Sequence, residues 1–99
     1  MKSIGLVEVV GVTAGIDCLD IMCKSADVEF VTWERKLGGR LVTIVVEGQV
    51  SAVTAAVENA VANAIKKPVS YAVIANPHEE VQRLLELSAS RMKKVGTKQ

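Results

Sequence analysis

The sequence predicts an α+β domain in which the elements follow as β-α-β-β-α-β and a further helix closes the chain. Three observations carry this. Two β-branched runs, Val28-Glu29-Phe30-Val31-Thr32-Trp33 and Leu41-Val42-Thr43-Ile44-Val45-Val46, flank the turn Lys36-Leu37-Gly38-Gly39-Arg40 and read as a hairpin. Helical periodicity lies on both sides of that hairpin, and Asn76-Pro77-His78-Glu79 reads as the start of a last helix.

Residues 3–10 are an apolar run interrupted by Glu8, the pattern of a strand buried on one face and partly on the other. Gly11-Val12-Thr13 ends it, and Thr13 is the expected N-cap of a helix running to about Lys24. The inner stripe of that helix reads as Ile16, Leu19 and Cys23, with Asp17 and Asp20 toward the other side. Asp20 and Lys24 stand at i,i+4 in the favourable acid-first order. Strands near 27–37 and 40–47 form the hairpin, with glycine supplying positive φ at its tip.

Gly48 breaks the run, after which Val50, Val53, Val57, Val61 and Ile65 recur at helical spacing among alanines small enough to let a helix approach a sheet closely. Lys66-Lys67-Pro68 is the expected stop, with cations at the negative end of the helix. Residues 69–74 are a fourth strand. In the last helix Asn76 is the expected N-cap, Pro77 the first position and Glu79 the third, with Val81, Leu84, Leu85, Ser88 and Met92 as the inner stripe. The order is the split βαβ or ferredoxin-like arrangement, in which two helices cover one face of an antiparallel sheet. Residues 1–99 form one domain, with a C-terminal helix over 79–94 and a frayed, basic tail over 95–99.

Formal net charge is +1, from 12 basic and 11 acidic residues, which argues against a generalised field for nucleic acid or an anionic membrane. Phe30, Trp33 and Tyr71 are the whole aromatic inventory, too few for a base-stacking surface. No stretch has the length of a signal-peptide core or a membrane span. Cys18 and Cys23 point about 140° apart on a helix. They read as two small, mostly buried thiols in a reducing compartment, expected to be the cytosol. The chain is 49% hydrophobic but only 3% aromatic, more apolar surface than a small monomer hides, so a permanent assembly is expected to use the excess.

Chemistry-bearing patterns are sparse. His78 is the only histidine, and no His-x-x-x-His or Cys-x-x-Cys spacing offers it metal-binding partners. No serine or cysteine sits in a recognisable nucleophile elbow. Gly38-Gly39 precedes a strand and not a helix N-terminus, so it lacks the dipole and free amides of a phosphate cradle. The sequence therefore predicts no enzyme, no catalytic residue, no metal and no cofactor.

Four short motifs occur in order along residues 3 to 80. They are Gly5-Leu6-Val7-Glu8, then Asp20-Ile21-Met22-Cys23-Lys24-Ser25-Ala26-Asp27-Val28, the loop Lys36-Leu37-Gly38-Gly39-Arg40, and Pro77-His78. Together they resemble the bacterial microcompartment shell domain, whose members carry a Gly-hydrophobic-hydrophobic-Glu start, an Asp-x-Met-x-Lys-(Ser/Ala)-Ala-x-Val segment, a Lys-Ile-Gly-Ser-Gly loop and a Pro-His pair. The resemblance implies a structural subunit of a cytoplasmic microcompartment shell, in which six copies form a flat tile around a narrow pore for small metabolites. By position, Lys36, Leu37, Gly38, Gly39 and Arg40 would line that pore, while Lys24 and Asn76-Pro77-His78 would lie at the tile edge. The implied partners are further copies in a homo-hexamer, other shell proteins, encapsulated enzymes and the transported metabolites, with no nucleic acid and no membrane.

The sequence departs from the family pattern in four places. The pore-loop serine is replaced within Gly38-Gly39-Arg40, where Arg40 adds a long cation. One extra residue separates Ser25-Ala26-Asp27-Val28 from Gly38, which predicts a bulge at the hairpin tip. Glu47-Gly48-Gln49 stands where many members have Arg-Gly-Asp, removing a good N-cap, and Asn76 replaces the arginine that usually precedes Pro-His. The alternative reading is a small ferredoxin-like regulatory domain that binds an amino acid or nucleotide between paired copies.

Overall fold

The computed structural model describes residues 2–96. Its elements are β1 (Ser3–Val10), α1 (Val12–Ser25), β2 (Val28–Lys36), a tight turn (Leu37–Gly39), β3 (Leu41–Gly48), α2 (Val50–Asn63), β4 (Ser70–Ile74) and α3 (Glu79–Gly96). The strands form one antiparallel sheet in the order β2-β3-β1-β4. This is the expected ferredoxin-like split βαβ fold with an additional C-terminal helix.

Alternation along the strands creates two cores of unequal size. Val7, Val9, Val42, Ile44 and Val46 pack with Ala14, Cys18 and Met22 of α1 and with Ala56, Val57 and Ala60 of α2. On the other face, Ile4 and Val45 pack with Leu85 of α3. Helix α2 approaches the sheet closely, and the small residue that permits it is Gly5 of β1. A Cβ on Gly5 would stand 2.8 Å from both Val53 Cγ1 and Val57 Cγ2, so α2 rests almost directly on the backbone of β1.

The bulge of the hairpin lies within β2, not at the tip, where pairing is regular up to Lys36 and Leu41. Phe30 pairs with Val46 but Thr32 with Val45, leaving Val31 as a bulge between them. This reverses the alternation. Beyond the bulge Thr32, Glu34 and Lys36 share the face that carries α3, while Trp33 and Arg35 take the other face, where the Arg35 guanidinium lies 5.5 Å from the Trp33 ring centre. Thr32 is thereby placed beneath α3, where its hydroxyl lies 2.7 Å from that of Ser88, which also donates to the Glu34 carboxylate.

The helices correct several expectations. Gly11, at φ 99°, is the N-cap of α1 with no side-chain cap, and Thr13 lies exposed within the first turn. The buried stripe is Ala14, Gly15, Cys18 and Met22, whereas Ile16 is 55% exposed and Cys23 is also exposed. Close approach explains the rotated phase, because a Cβ on Gly15 would stand 2.9 Å from Val42 Cγ1. Only small side chains fit against the sheet at that turn, so the bulkier Ile16 faces outward.

Helix α2 stops at Asn63, before Ile65, Lys66 and Lys67, and Ile65 is 67% exposed. Its amide leaves the helical ladder to donate to the Asp17 carboxylate at 2.9 Å. As the sequence predicts, Gln49 caps α2 without a side-chain hydrogen bond. At the start of α3, the cap is His78 and not Asn76: the Glu80 amide donates to His78 Nδ1 at 3.0 Å. Pro77 is buried ahead of the helix and its carbonyl accepts from Gln82 Nε2 at 3.0 Å, which shifts the helix start past Asn76. Leu84, expected inside, is 64% exposed. The helix continues through Gly96, and residues 97–99 of the expected tail lie outside the described residues.

Candidate functional site

The last pair of the hairpin is Lys36 with Leu41. Leu37, Gly38 and Gly39 then take φ values of 55°, 67° and 91°, three consecutive left-handed residues, and Arg40 returns to the right-handed region. The glycines adopt this shape freely, but a left-handed leucine costs about 1–2 kcal/mol. Sequence reasoning finds the two glycines and misses Leu37, since nothing about leucine favours that backbone.

Local contacts hold the turn. The Arg40 amide donates to the Leu37 carbonyl at 3.3 Å, and the Arg40 carbonyl accepts from the Gly11 amide at 3.0 Å. A Cβ on Gly39 would stand 3.2 Å from Val12 Cγ2, so the loop is pinned to the junction of β1 and α1. Gly38, by contrast, has nothing within 4 Å of its Cβ position. Lys36, Leu37 and Arg40 are exposed, and neither cation is in an ion pair among the described residues.

The proposed edge residues lie at the opposite end of the molecule. Strand β1 pairs Val10 with Leu41 beside the loop and Ile4 with Ile74 at its other end, where Ser3 Oγ donates to the Ala75 carbonyl at 2.7 Å, immediately before Asn76. Eight extended residues separate the two ends by roughly 25 Å. Helix α1 runs back along the same length and delivers Lys24 to the far end, where its ammonium lies 3.0 Å from the Asp20 carboxylate on the exposed surface. The structure therefore gathers Lys36, Leu37, Gly38, Gly39 and Arg40 into one turn. It separates them from Lys24, Asn76, Pro77 and His78.

Neither thiol is activated. Burial pushes the Cys18 thiol up and Asp17 adds to the effect, while burial and then Asp20 do the same for Cys23. Among the described residues no group of three or more His, Cys, Asp or Glu side chains is placed to hold a metal ion. No helix of the described chain is long and apolar enough to cross a membrane.

The chain is thus a small antiparallel α+β domain with a glycine turn at one end and Lys24, Asn76 and His78 exposed at the other. Residues 3–77 match the BMC domain family. The chain is 39% identical over 92 residues to the bacterial microcompartment shell protein PduA of Salmonella typhimurium, covering 91% of this chain and 97% of that one. It is 38% identical over 92 residues to the carboxysome shell protein CsoS1C of Hydrogenovibrio crunogenus, covering 89% and 88% respectively. A crystal structure of a microcompartment protein from Desulfitobacterium hafniense superposes with a TM-score of 0.75 at 28% identity over 89% of this chain, which spans 48% of that larger chain. The chain belongs to the BMC-domain family of bacterial microcompartment shell proteins, as a structural subunit of the hexamer-forming kind.

Proposed function

We propose that six copies close into a tile with the Lys36–Arg40 loops around the central axis and Lys24 and Asn76-Pro77-His78 at the outer edge. The observation that carries this reading is the separation of the two groups to opposite ends of one rigid sheet. A wedge with its turn at one tip and its polar contacts at the other suits a ring that has both a hole and a perimeter.

The exposed apolar surface supports the same closure. Val69, Tyr71 and Val73 lie on or beside β4, and Phe30 of β2 lies with Ile16 of α1 at the opposite edge of the sheet. Two unlike apolar rims favour head-to-tail contacts, which generate a ring when the rotation closes, over the self-complementary contact of a dimer. At the axis, Gly38 brings bare backbone toward the opening while Lys36 and Arg40 place uncompensated cations near it, so small anions and polar neutral metabolites pass in preference to cations. The role is structural and non-catalytic. The tile joins other shell proteins at its edge, in a cytoplasmic shell that encloses metabolic enzymes.

Native mass spectrometry of the purified protein tests the assembly. The expected species is six times the 10.6 kDa chain at micromolar concentration across ordinary salt. A discrete dimer with a ligand-dependent melting shift would instead favour a regulatory domain.

A further inference from the structure

Beneath α3, on the face of the sheet away from α1 and α2, lies a cavity of about 340 Å³. Leu6 and Val45 of the sheet form part of its wall, and Leu84 and Leu85 of α3 stand across from them. Its charged groups are unevenly matched. Glu34 already accepts a hydrogen bond from Ser88, whereas Lys36 and Arg91 line the same space with no ion-pair partner among the described residues. Two cations against one carboxylate leave the lining with an excess of one positive charge.

We propose that this cavity binds a small monocarboxylate with a short hydrocarbon chain, its carboxylate held by Arg91 and Lys36 and its chain laid between Leu6, Val45 and the leucines of α3. An apolar wall with a few convergent polar groups is the usual form of a small-molecule site, and the volume is at the lower end of such sites. A guanidinium fork matches a carboxylate in bidentate fashion. A phosphate dianion would bring a second negative charge beside Glu34 and has no hydrocarbon to cover the apolar wall. The site shares Lys36, the first residue of the proposed pore loop, so the ligand would sit at the root of that loop.

The test uses the assembled full-length protein and methyl NMR of Val45, Leu84 and Leu85, titrated with butanoate, butan-1-ol and inorganic phosphate in separate samples. Butanoate is expected to give saturable shifts, with butan-1-ol and phosphate each binding at least about tenfold more weakly, since a hydrogen bond to a charged group contributes about that factor. Arg91→Ala, at an exposed position, should weaken butanoate at least about tenfold, and Arg91→Lys should recover part of the loss. Absence of saturation at tens of millimolar butanoate, equal binding of butan-1-ol or phosphate, or an unchanged affinity in Arg91→Ala would each overturn the proposal. Native mass measured on the same samples reports ring formation separately. A ring without butanoate binding refutes this site alone, and binding without a ring refutes the tile alone.

Discussion

Thr32 Oγ1 and Ser88 Oγ, 56 positions apart in the sequence, lie 2.7 Å from each other in the buried contact between β2 and α3. The pair exists because the bulge at Val31 turns Thr32 toward α3, and it supplements the small apolar contact made by Leu85. Removing Ser88 leaves the buried Thr32 hydroxyl without its main hydrogen bond and takes from Glu34 the one that its carboxylate accepts. Ser88→Ala is therefore expected to cost about 1–3 kcal/mol. Hydrogen exchange should show α3 losing protection before the sheet does. In the double variant Thr32→Val with Ser88→Ala the loss should be smaller than the sum of the single losses, because no Thr32 hydroxyl is then left buried without a partner. Strict additivity would mean that the two hydroxyls do not act together.

Gly5 carries a different constraint. An added methyl would meet Val53 Cγ1 and Val57 Cγ2, both at 2.8 Å, so Gly5→Ala must push α2 away from β1 at a cost of about 1–3 kcal/mol. A second change, Val53→Ala, makes room at that point and should recover part of the loss in a thermal melt. If Gly5→Ala melts with the parent protein, α2 does not lie as close to the sheet as these distances require.

Arg40 governs the sign of the pore in the proposed tile. Arg40→Glu replaces up to six cations near the axis by six anions, and anion passage through reconstituted layers should fall while cation passage rises. The ring should survive, because the exposed Arg40 side chain takes no part in the hydrogen bonds that its backbone makes to Leu37 and Gly11. Equal permeability of the two proteins would remove Arg40 from the pore.

The far end of the molecule predicts how tiles join. His78 caps α3, so the Asn76 side chain is not occupied by that role, yet a carboxamide reaches less far and makes fewer hydrogen bonds than the arginine usual at this place in the family. Asn76→Arg is expected to promote extended sheets or tubes in electron micrographs. In the proposed tile Lys24→Asp should suppress lateral assembly and leave the ring intact, since Lys24 is exposed at the end of the molecule far from the loop and its one ion pair, to Asp20, lies within its own helix. Parent protein that tiles as extensively as Asn76→Arg would show that another contact supplies the edge.

The element order was legible because each strand and helix carries its own period, and the Gly38-Gly39 pair marks the central turn unmistakably. What the sequence concealed depends on distance between elements. The buried stripe of α1 is set by how closely Gly15 meets Val42, and hydrophobicity alone favours Ile16, which the fold turns outward. The end of α2 is decided by Asp17, a carboxylate 48 positions away that takes the Ile65 amide. The bulge expected at the tip lies instead at Val31, and nothing in residues 28–33 marks that rung, since a strand irregularity can fall at any position along a hairpin. Leu37 and the α3 cap at His78 were missed for a similar reason: one is held by neighbours, and the other follows from the burial of Pro77.

The most direct test of the central claim is a cryo-EM reconstruction of the assembled protein viewed along its symmetry axis. The expected result is a sixfold ring in which residues 36–40 of every copy lie nearest the axis and residues 76–78 lie at the perimeter. A ring with the Asn76-Pro77-His78 end at its centre, or a closed dimer with the loops on its outer surface, would contradict it.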